Sequence, residues 1–220
     1  MDKLVRKIEI PIAKKAIKNA GLYIAEKKDL DRLAEIAADA YKDYPLHIWL
    51  ANGKYDEKES NLLMKASLKS MMEDALIYAD SEEINGFAAW LPFGFKGTEA
   101  IPFMLNGGVD LILHSGIGII GKLLKYENYA TSLKKEFTGH YDWYLYNLSI
   151  KKDAQGKGIA SKLMRPMLQF CDDEKMPIFL ETHKRANVGL YNHYGFELKK
   201  EDEIPGTGLV HYAMVRLPKE

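Results

Sequence analysis

Residues 148–160 read Leu-Ser-Ile-Lys-Lys-Asp-Ala-Gln-Gly-Lys-Gly-Ile-Ala and connect two runs of different character. The preceding run, residues 141–150, is rich in the aromatic and branched side chains that are typical of strands. The following run, residues 156–174, places Ile159, Leu163 and Met167 on one helical stripe. Glycines between a strand and a helix let the chain turn sharply and point unpaired amides outward, which suits a bound phosphate. The stretch therefore predicts an anion-binding turn.

Three phosphate-binding motifs could account for this turn. A P-loop requires a glycine, four residues and then Gly-Lys-Ser/Thr, and the sequence contains no such string. A dinucleotide fingerprint requires a third glycine where this chain has Ser161. Although Glu181 follows at a tolerable distance, the repeated βαβ pattern is absent. The third motif is Gln/Arg-x-x-Gly-x-Gly/Ala, and Gln155, Gly158 and Ala160 match it.

With this motif the chain resembles the GCN5-related N-acetyltransferase (GNAT) family. Residues 185–196 are similar to the family's second signature, because Asn187 is followed by Tyr191 four residues before Gly195-Phe196. The runs 179–182 and 212–216 most resemble the puromycin acetyltransferase-like branch. The matches together cover roughly residues 141 to 216.

The resemblance implies an α/β (α+β) fold, with a mixed, mostly antiparallel central sheet, two splayed central strands and helices on both faces. The pattern of apolar runs predicts strands at residues 22–25, 75–79, 86–91, 141–150, 178–182, 196–203 and 209–216. In the strand 141–150, alternation predicts that Trp143, Leu145, Asn147 and Ser149 share one face and that Tyr144, Tyr146, Leu148 and Ile150 share the other.

Helical patterns occur at residues 12–20, 29–41, 57–73, 156–174 and 185–194. Pro11 is expected just inside the start of the first helix, and Pro166 should kink the fourth. Residues 44–50 are expected to be an aromatic loop that either forms a pocket wall or plugs the edge of the core.

The expected domain organisation is a basic, helical N-terminal extension, residues 1–20, followed by a single acetyltransferase domain, residues 21–220. The extension lacks the apolar core of a secretion signal, and docking on the domain is favoured over contact with a membrane. Residues 98–138 fit the family pattern poorly. We expect them to form a helical insertion of two helices, the second reaching Phe137, that lies over the sheet as a lid or as the surface of a homodimer.

Composition excludes several classes of partner. Lysine plus arginine and aspartate plus glutamate are balanced at 31 each, so no global basic field would gather nucleic acid. The apolar run 109–126 is too interrupted to span a membrane. The single cysteine, Cys171, cannot form an internal disulfide and favours a cytoplasmic location. The six histidines show no metal-ligand spacing, so no metal is expected.

The resemblance implies acetyl-coenzyme A as the co-substrate. The amides of residues 156–161 would hold its pyrophosphate at a helix N-terminus, while the backbone edge of residues 148–150 would pair with the pantetheine arm and stabilise the oxyanion. The expected cofactor-binding residues are Leu148, Ser149, Ile150, Gln155, Gly156, Lys157, Gly158, Ile159, Ala160, Ser161, Asn187 and Tyr191.

Two residues are expected to be catalytic. Tyr191 matches the family position whose phenol donates a proton to the departing thiolate. An alkylamine acceptor is mostly protonated at neutral pH, with a pKa of about 10, so a base must remove a proton before it attacks. Glu181, at the end of the second splayed strand, is the leading candidate for that base, directly or through water, and His183 is the alternative.

The expected function is therefore transfer of an acetyl group from acetyl-coenzyme A to a primary amine of a small molecule, through a ternary complex. Puromycin-like drugs and polyamines are two possible acceptors. The alternatives are a coenzyme A sensor that has lost turnover, and an enzyme that acetylates a protein N-terminus or lysine. The last would have an open, acidic groove, and the helical insertion argues against it.

Overall fold

The computed structural model describes residues 2–94 and 100–219, with side chains from residue 9 onward. Thr98 and Glu99, with which the expected insertion begins, lie outside the described residues. The strands are β1 (Tyr23–Ile24), β2 (Leu76–Ala79), β3 (Gly86–Leu91), β4 (Trp143–Ile150), β5 (Ile178–Thr182), β6 (Glu197–Glu203) and β7 (Val210–Arg216). The α-helices are α1 (Asp2–Asn19), α2 (Leu30–Ala40), α3 (Pro45–Leu50), α4 (Glu57–Met71), α5 (Ala100–Phe103), α6 (Val109–Ser115), α7 (Gly118–Thr138), α8 (Ile159–Asp173) and α9 (Arg185–His193).

The strands form one 7-stranded sheet in the order β1-β2-β3-β4-β5-β7-β6. Strands β4 and β5 pair in parallel, and every other neighbouring pair is antiparallel. Helices α1 and α8 pack on one face, around Ile17, Trp143 and Met167. Helices α2 and α4 pack on the other, around Leu33, Leu68 and Phe87. The prediction of a mixed, mostly antiparallel sheet covered on both faces is confirmed.

The two central strands separate partway along their length. Their parallel register joins Trp143 to Ile178, Tyr144 to Phe179 and Leu145 to Leu180, and ends there. Beyond Leu145, β4 continues to pair with β3 as far as Ile150, while the end of β5 pairs with β7. The splayed central strands are therefore confirmed, and the edge of β4 that faces β5 is open from residue 146 onward.

A β-bulge lies at the point where the strands separate. Leu145 is opposite Trp90 and Asn147 is opposite Ala89, so Tyr146 is an extra residue on β4. The extra residue reverses the alternation of side chains that follow it. Leu148 packs with the cluster that contains Leu145, whereas Asn147 donates a hydrogen bond to Tyr41 on the opposite face. The predicted faces are correct before the bulge and wrong after it.

Helix α1 runs through Pro11 and does not begin at it. The prediction that Pro11 starts this helix is therefore wrong. A proline in a helix interior removes one backbone hydrogen bond and crowds the preceding turn, at a cost of about 3 kcal/mol. Ala13 and Ile17, which follow it, are fully buried in the cluster shared with α8 and β2. Burial of this face is the interaction that can offset the local cost.

Residues 44–50, expected to be a loop, instead contain helix α3. Pro45 occupies the first turn of α3, where its missing N–H costs nothing and its fixed φ suits the helix. Leu46 and Leu50 are buried against the insertion and also line the cavity beneath it, so this segment is both part of the core and part of a pocket wall.

The insertion consists of α5, a π-helical turn at Met104–Gly108, α6 and α7, where two helices were expected. Gly107 has a φ of 128°, which breaks the helical path inside the π turn. Helix α7 contacts α3, β5 and β7, so the insertion lies over the region where β4 and β5 diverge. Within the described ranges, no helix combines the length and the apolar character needed to cross a bilayer.

Candidate functional site

A cavity of about 960 Å³ extends from the gap between β4 and β5 to the underside of the insertion. Its walls come from the segment that includes α3, from α4, α5 and α7, and from the ends of β4, β5 and α9. Leu148 lines it on β4, Glu181 on β5, and Asn187 and Tyr191 on α9. Its volume is at the upper end of the range that holds drug-sized ligands. The cavity thus joins the open strand edge to several of the predicted site residues.

The predicted anion-binding turn lies outside this cavity, on the surface. Gly156 and Gly158 have φ values of 76° and 80°, and α8 begins immediately after Gly158. Among the described residues, no amide from 156 to 161 donates a hydrogen bond to another group. Successive free amides at a helix N-terminus form an anion-binding arrangement. The Gln155 side chain donates to the Ile150 carbonyl at 3.2 Å, which ties the turn to the end of β4.

The residues before the turn connect it to the cavity. Leu148 lines the cavity, whereas Ser149 is fully buried, and its hydroxyl has no hydrogen-bond partner in the described chain. Ile159, Ala160 and Ser161 form the first turn of α8, and the Ser161 hydroxyl is 2.9 Å from the Tyr194 hydroxyl. Lys157 is exposed beside the two glycines. The predicted cofactor-binding residues therefore follow one continuous path from the surface to the gap.

Tyr191 is 8% exposed and packs edge-on against Phe196, with ring centroids 5.9 Å apart. It lines the cavity, and no described residue hydrogen-bonds its hydroxyl. Burial raises the pKa of Tyr191 well above its ordinary value, with smaller contributions from Tyr44 and Tyr194. The phenol therefore stays protonated at neutral pH. Nearby, Asn187 donates from its amide to the Thr182 hydroxyl at 3.0 Å.

Glu181 is held by two tyrosines, and its side chain is only 6% exposed. Its Oε1 accepts hydrogen bonds from the Tyr126 hydroxyl and, at 2.8 Å, from the Tyr144 hydroxyl. Its Oε2 is buried, has no hydrogen-bond partner among the described groups, and is 3.6 Å from Nε2 of His211. Both oxygens are thus occupied or shielded by protein.

His183, the alternative base, is buried beside His211. Its Nε2 is 3.1 Å from Nδ1 of His211, so one of these two nitrogens carries the shared hydrogen. Burial lowers the pKa of both imidazoles. The nearby His211 and His47 rings lower the pKa of His183 further, whereas the charge of Glu181 offsets part of the effect of burial on His211. The two rings are therefore neutral at physiological pH and connect Glu181 to the floor of the cavity.

An aromatic cluster formed by Tyr41 and by the segment 44–50, which was expected to form a pocket wall or to plug the core, lies beside these groups. The Tyr44 hydroxyl accepts the His183 amide at 3.0 Å and is 3.1 Å from the Thr182 hydroxyl. Burial raises the pKa of Tyr44 to about 12. His47 stacks on Tyr41 with ring centroids 4.4 Å apart, and its Nδ1 is 2.8 Å from the Ser60 hydroxyl. Burial lowers the pKa of His47 to about 3.

The neutral state of His47 makes the stability depend on pH. Above the unfolded-state pKa of about 6.5, neither state binds the proton and the stability is fully present. As the pH falls from 6.5 toward 3, His47 binds a proton in the unfolded state but stays neutral in the folded state, so the free energy of unfolding decreases. We expect His47 alone to lower the free energy of unfolding by about 2 kcal/mol at pH 5.

Urea unfolding at pH 7.5 and pH 5 measures this loss in the wild type and in His47→Gln. The difference between the two pH values should shrink by about that amount in the variant. His193→Gln, at an exposed position, is the matched control. An unchanged pH dependence in His47→Gln would show that His47 does not contribute to the loss.

Glu127 is a second carboxylate in the cavity that no sequence motif indicated. It lies on α7, inside the insertion, and lines the cavity together with Glu181. Burial, and secondly the charge of Glu181, raise the pKa of Glu127 to about 7. The side chain makes no hydrogen bond or ion pair with any described residue. The described residues contain no cluster of three or more His, Cys, Asp or Glu side chains placed to hold a metal.

Comparison with known proteins gives this site a context. Residues 129–217 match the family model described as acetyltransferase (GNAT) domain. A protein of Schizosaccharomyces pombe, described as an uncharacterized N-acetyltransferase, is 25% identical over 185 residues, which cover 78% of this chain and 72% of the relative. The match supports the GNAT resemblance, while the puromycin acetyltransferase-like branch stays a prediction.

Two solved structures have the same fold. One, from Corynebacterium glutamicum, is described as histone acetyltransferase HPA2 and related acetyltransferase. It has a TM-score of 0.60 at 17% identity, over 90% of this chain and 96% of that chain. The other is arylalkylamine N-acetyltransferase 2 from Aedes aegypti, with a TM-score of 0.58 at 20% identity, over 90% of this chain and 98% of that chain. The predicted fold is confirmed.

Proposed function

We propose that this acyltransferase transfers the acetyl group of acetyl-coenzyme A to a primary amine of a small molecule, and the match of residues 129–217 to the acetyltransferase (GNAT) domain supports the proposal. The observation that carries the proposal is the end of β4–β5 pairing at Leu145 and Leu180, which leaves a strand edge open toward the cavity. A peptide-like ligand can add to such an edge as another strand would.

The chain's own residues would bind the donor along one path. The free amides of residues 156–161 would hold the pyrophosphate, with Gln155 and Lys157 at the rim. The open edge at residues 148–150 would pair with the pantetheine arm, and Asn187 would hydrogen-bond it. When bound, this co-substrate supplies an acetyl group activated as a thioester. A backbone amide of the β4 edge would stabilise the oxyanion that forms at its carbonyl.

The proton chemistry is assigned to two side chains. Tyr191, which stays protonated and lines the cavity, is the proposed acid that protonates the departing sulfur. Glu181 is the proposed base. Since its oxygens are occupied or shielded, it acts through a neighbouring group and not by touching the amine. Overall, an ammonium ion and the thioester give an amide, a free thiol and one proton.

The helices of the insertion that line the cavity favour a small acceptor. Helices α5 and α7 both line the cavity, and α7 contacts the ends of β5 and β7. A protein N-terminus or a lysine on a folded protein would need an open groove at this place. The insertion therefore supports a small-molecule amine over a protein acceptor.

The test of this function uses the anion-binding turn. The wild type should bind acetyl-coenzyme A in calorimetry and release thiol when primary amines are added. Gly158→Asp places a negative charge where the pyrophosphate would lie, and Gly158→Asn is its neutral counterpart. Asp and Asn tolerate a positive φ better than other side chains do, and open space surrounds a Cβ at this position.

Gly158→Asp should weaken donor binding at least tenfold more than Gly158→Asn does, because tenfold corresponds to about 1.4 kcal/mol of repulsion. Equal affinities in the two variants would remove the pyrophosphate from this turn. Donor binding without thiol release from any amine would favour the coenzyme A sensor.

A further inference from the structure

The two ends of the cavity differ in character. The end near the gap contains Glu127, Glu181 and the phenols of Tyr126, Tyr144 and Tyr146. Another part of the lining, beneath the insertion, is one apolar cluster that includes Leu46, Leu50, Leu63, Phe103, Ile120 and Leu123. A ligand that fills both ends needs a polar head and an apolar body. A second charged group in the apolar end would lose its hydration without gaining a partner.

Glu127 lacks the partner that a carboxylate in a partly buried site needs. The titratable or charged groups that line the same cavity are Tyr126 and Lys135 on α7, Tyr144 and Tyr146 on β4, Glu181 and His183 at the end of β5, Tyr41, Tyr44 and His47 around α3, Asp74 after α4, and Tyr191 on α9. The negative charge of Glu181 opposes the ionisation of Glu127. A cation bound between the two carboxylates would remove this repulsion.

We infer that the acceptor is a primary amine with a single positive charge and an apolar body, and that Glu127 binds its ammonium group and removes its proton. This inference rests on the proposed function. Glu127 takes one proton from the nitrogen, whose lone pair then attacks the thioester carbonyl carbon. The carbon–sulfur bond breaks, and the sulfur takes a proton from Tyr191. The second nitrogen proton returns to the Tyr191 oxygen, and Glu127 releases its proton to solvent.

In this scheme Glu127 takes the place of Glu181 as the group that removes the proton, and Glu181 becomes a positioning residue. Its negative charge raises the proton affinity of Glu127, and its hydrogen bonds fix the phenols of Tyr126 and Tyr144 beside the ammonium group. Glu127 is partly buried, and its pKa is about 7. It can therefore accept a proton from the ammonium group and release it to solvent in each cycle.

The experiment compares three amines, ethylamine, 2-phenylethylamine and 1,4-diaminobutane. The kcat/KM of the wild type should be at least tenfold higher for 2-phenylethylamine than for ethylamine, because its larger apolar body fills the far end of the cavity. It should also exceed the value for 1,4-diaminobutane, whose second charge would enter apolar surroundings. A preference for the diamine would overturn the assignment of the acceptor class.

The role of Glu127 is tested with Glu127→Gln. In the wild type, kcat/KM should fall below about pH 7 as Glu127 becomes protonated, which is the acid limb of its pH profile. Glu127→Gln should lower kcat/KM for 2-phenylethylamine about 100-fold at pH 7 and abolish this acid limb, while the Kd for acetyl-coenzyme A stays the same. Glu181→Gln should instead move that limb to lower pH, since it removes the charge that raises the pKa of Glu127. Glu136→Gln, at an exposed position of α7, is the control. An acid limb that persists in Glu127→Gln would overturn the role.

Two further measurements separate the possible failures. Glu127→Gln should keep or raise the Tm, because it removes an unpartnered carboxylate, whereas a structural role would lower the Tm.

If the wild type releases thiol with amines but Glu127→Gln matches it, only the present inference fails. If no amine supports thiol release, the proposed function fails. Calorimetry of 2-phenylethylamine binding then still decides whether affinity depends on Glu127, and equal affinity for both proteins would refute the inference.

Discussion

Replacement of Tyr191 by phenylalanine is expected to lower kcat about 100- to 1,000-fold at neutral pH, with little change in the KM for either substrate. The ring remains, and so does its packing against Phe196. What is lost is the hydroxyl, which no other described side chain hydrogen-bonds. Since burial keeps this phenol protonated, it is available as an acid throughout the neutral range.

The measurement is a steady-state assay of thiol release with a saturating amine, together with the Tm of each protein. Tyr141→Phe, at an exposed position outside the cavity, is the matched control and should retain wild-type kcat. A Tyr191→Phe variant with normal kcat would remove the acid from the mechanism. A variant with a raised KM and normal kcat would assign Tyr191 to binding.

Replacement of Asp172 by asparagine is expected to cost about 3 to 5 kcal/mol of unfolding free energy. Asp172 lies on α8 and accepts two hydrogen bonds of 2.7 Å from the guanidinium of Arg216 on β7. The Arg216 side chain is 3% exposed and that of Asp172 is 13% exposed. The same guanidinium donates from Nε to the Tyr194 carbonyl at 3.1 Å. Neutralising Asp172 therefore leaves a buried cation without its counter-ion.

Thermal unfolding should show a Tm about 10 °C lower in Asp172→Asn than in the wild type. Asp173→Asn, at the neighbouring exposed position, should change the Tm by little. Burial, the largest single influence, raises the pKa of Asp172, but the hydrogen bonds from Arg216 and from the Lys219 amide, together with the charges of these two residues, outweigh burial and hold the pKa below its ordinary value. The contribution of this ion pair is therefore fully present above pH of about 4 and is lost as the pH falls further. A Tm equal to that of Asp173→Asn would show that the pair contributes nothing net.

The parts of the structure that the sequence predicts well are those with a local cause. The strands and most helices follow from apolar periodicity, and the turn around Gly158 follows from glycines that must adopt positive φ. Two signatures in family order were enough to predict the splayed strands. Tyr191 could be assigned to the cavity because its signature occurs at a defined position on α9.

The parts that were missed have a nonlocal cause. Helix α3 is short, and its Leu46 and Leu50 gain burial only from the insertion, whose position the sequence does not indicate. The bulge at Tyr146 depends on the pairing of β4 with β3, so alternation alone placed Asn147 and Leu148 on the wrong faces. Glu127 belongs to no motif and resembles any other charged residue of a surface helix. Only the packing of α7 over the gap makes it a site residue.

In the described part of the chain, three residue pairs join β4 to β5 and so link the two halves of the sheet. The two halves of the sheet diverge from these pairs, and the proposed donor would lie in the gap between them. Trp143, Ile178 and Leu180, which belong to these pairs, do not line the cavity and are packed into the cluster shared with α1 and α8. The angle between the two halves of the sheet is therefore set by side chains that do not line the cavity. Changes in this packing would alter the width of the gap without altering any group that does chemistry.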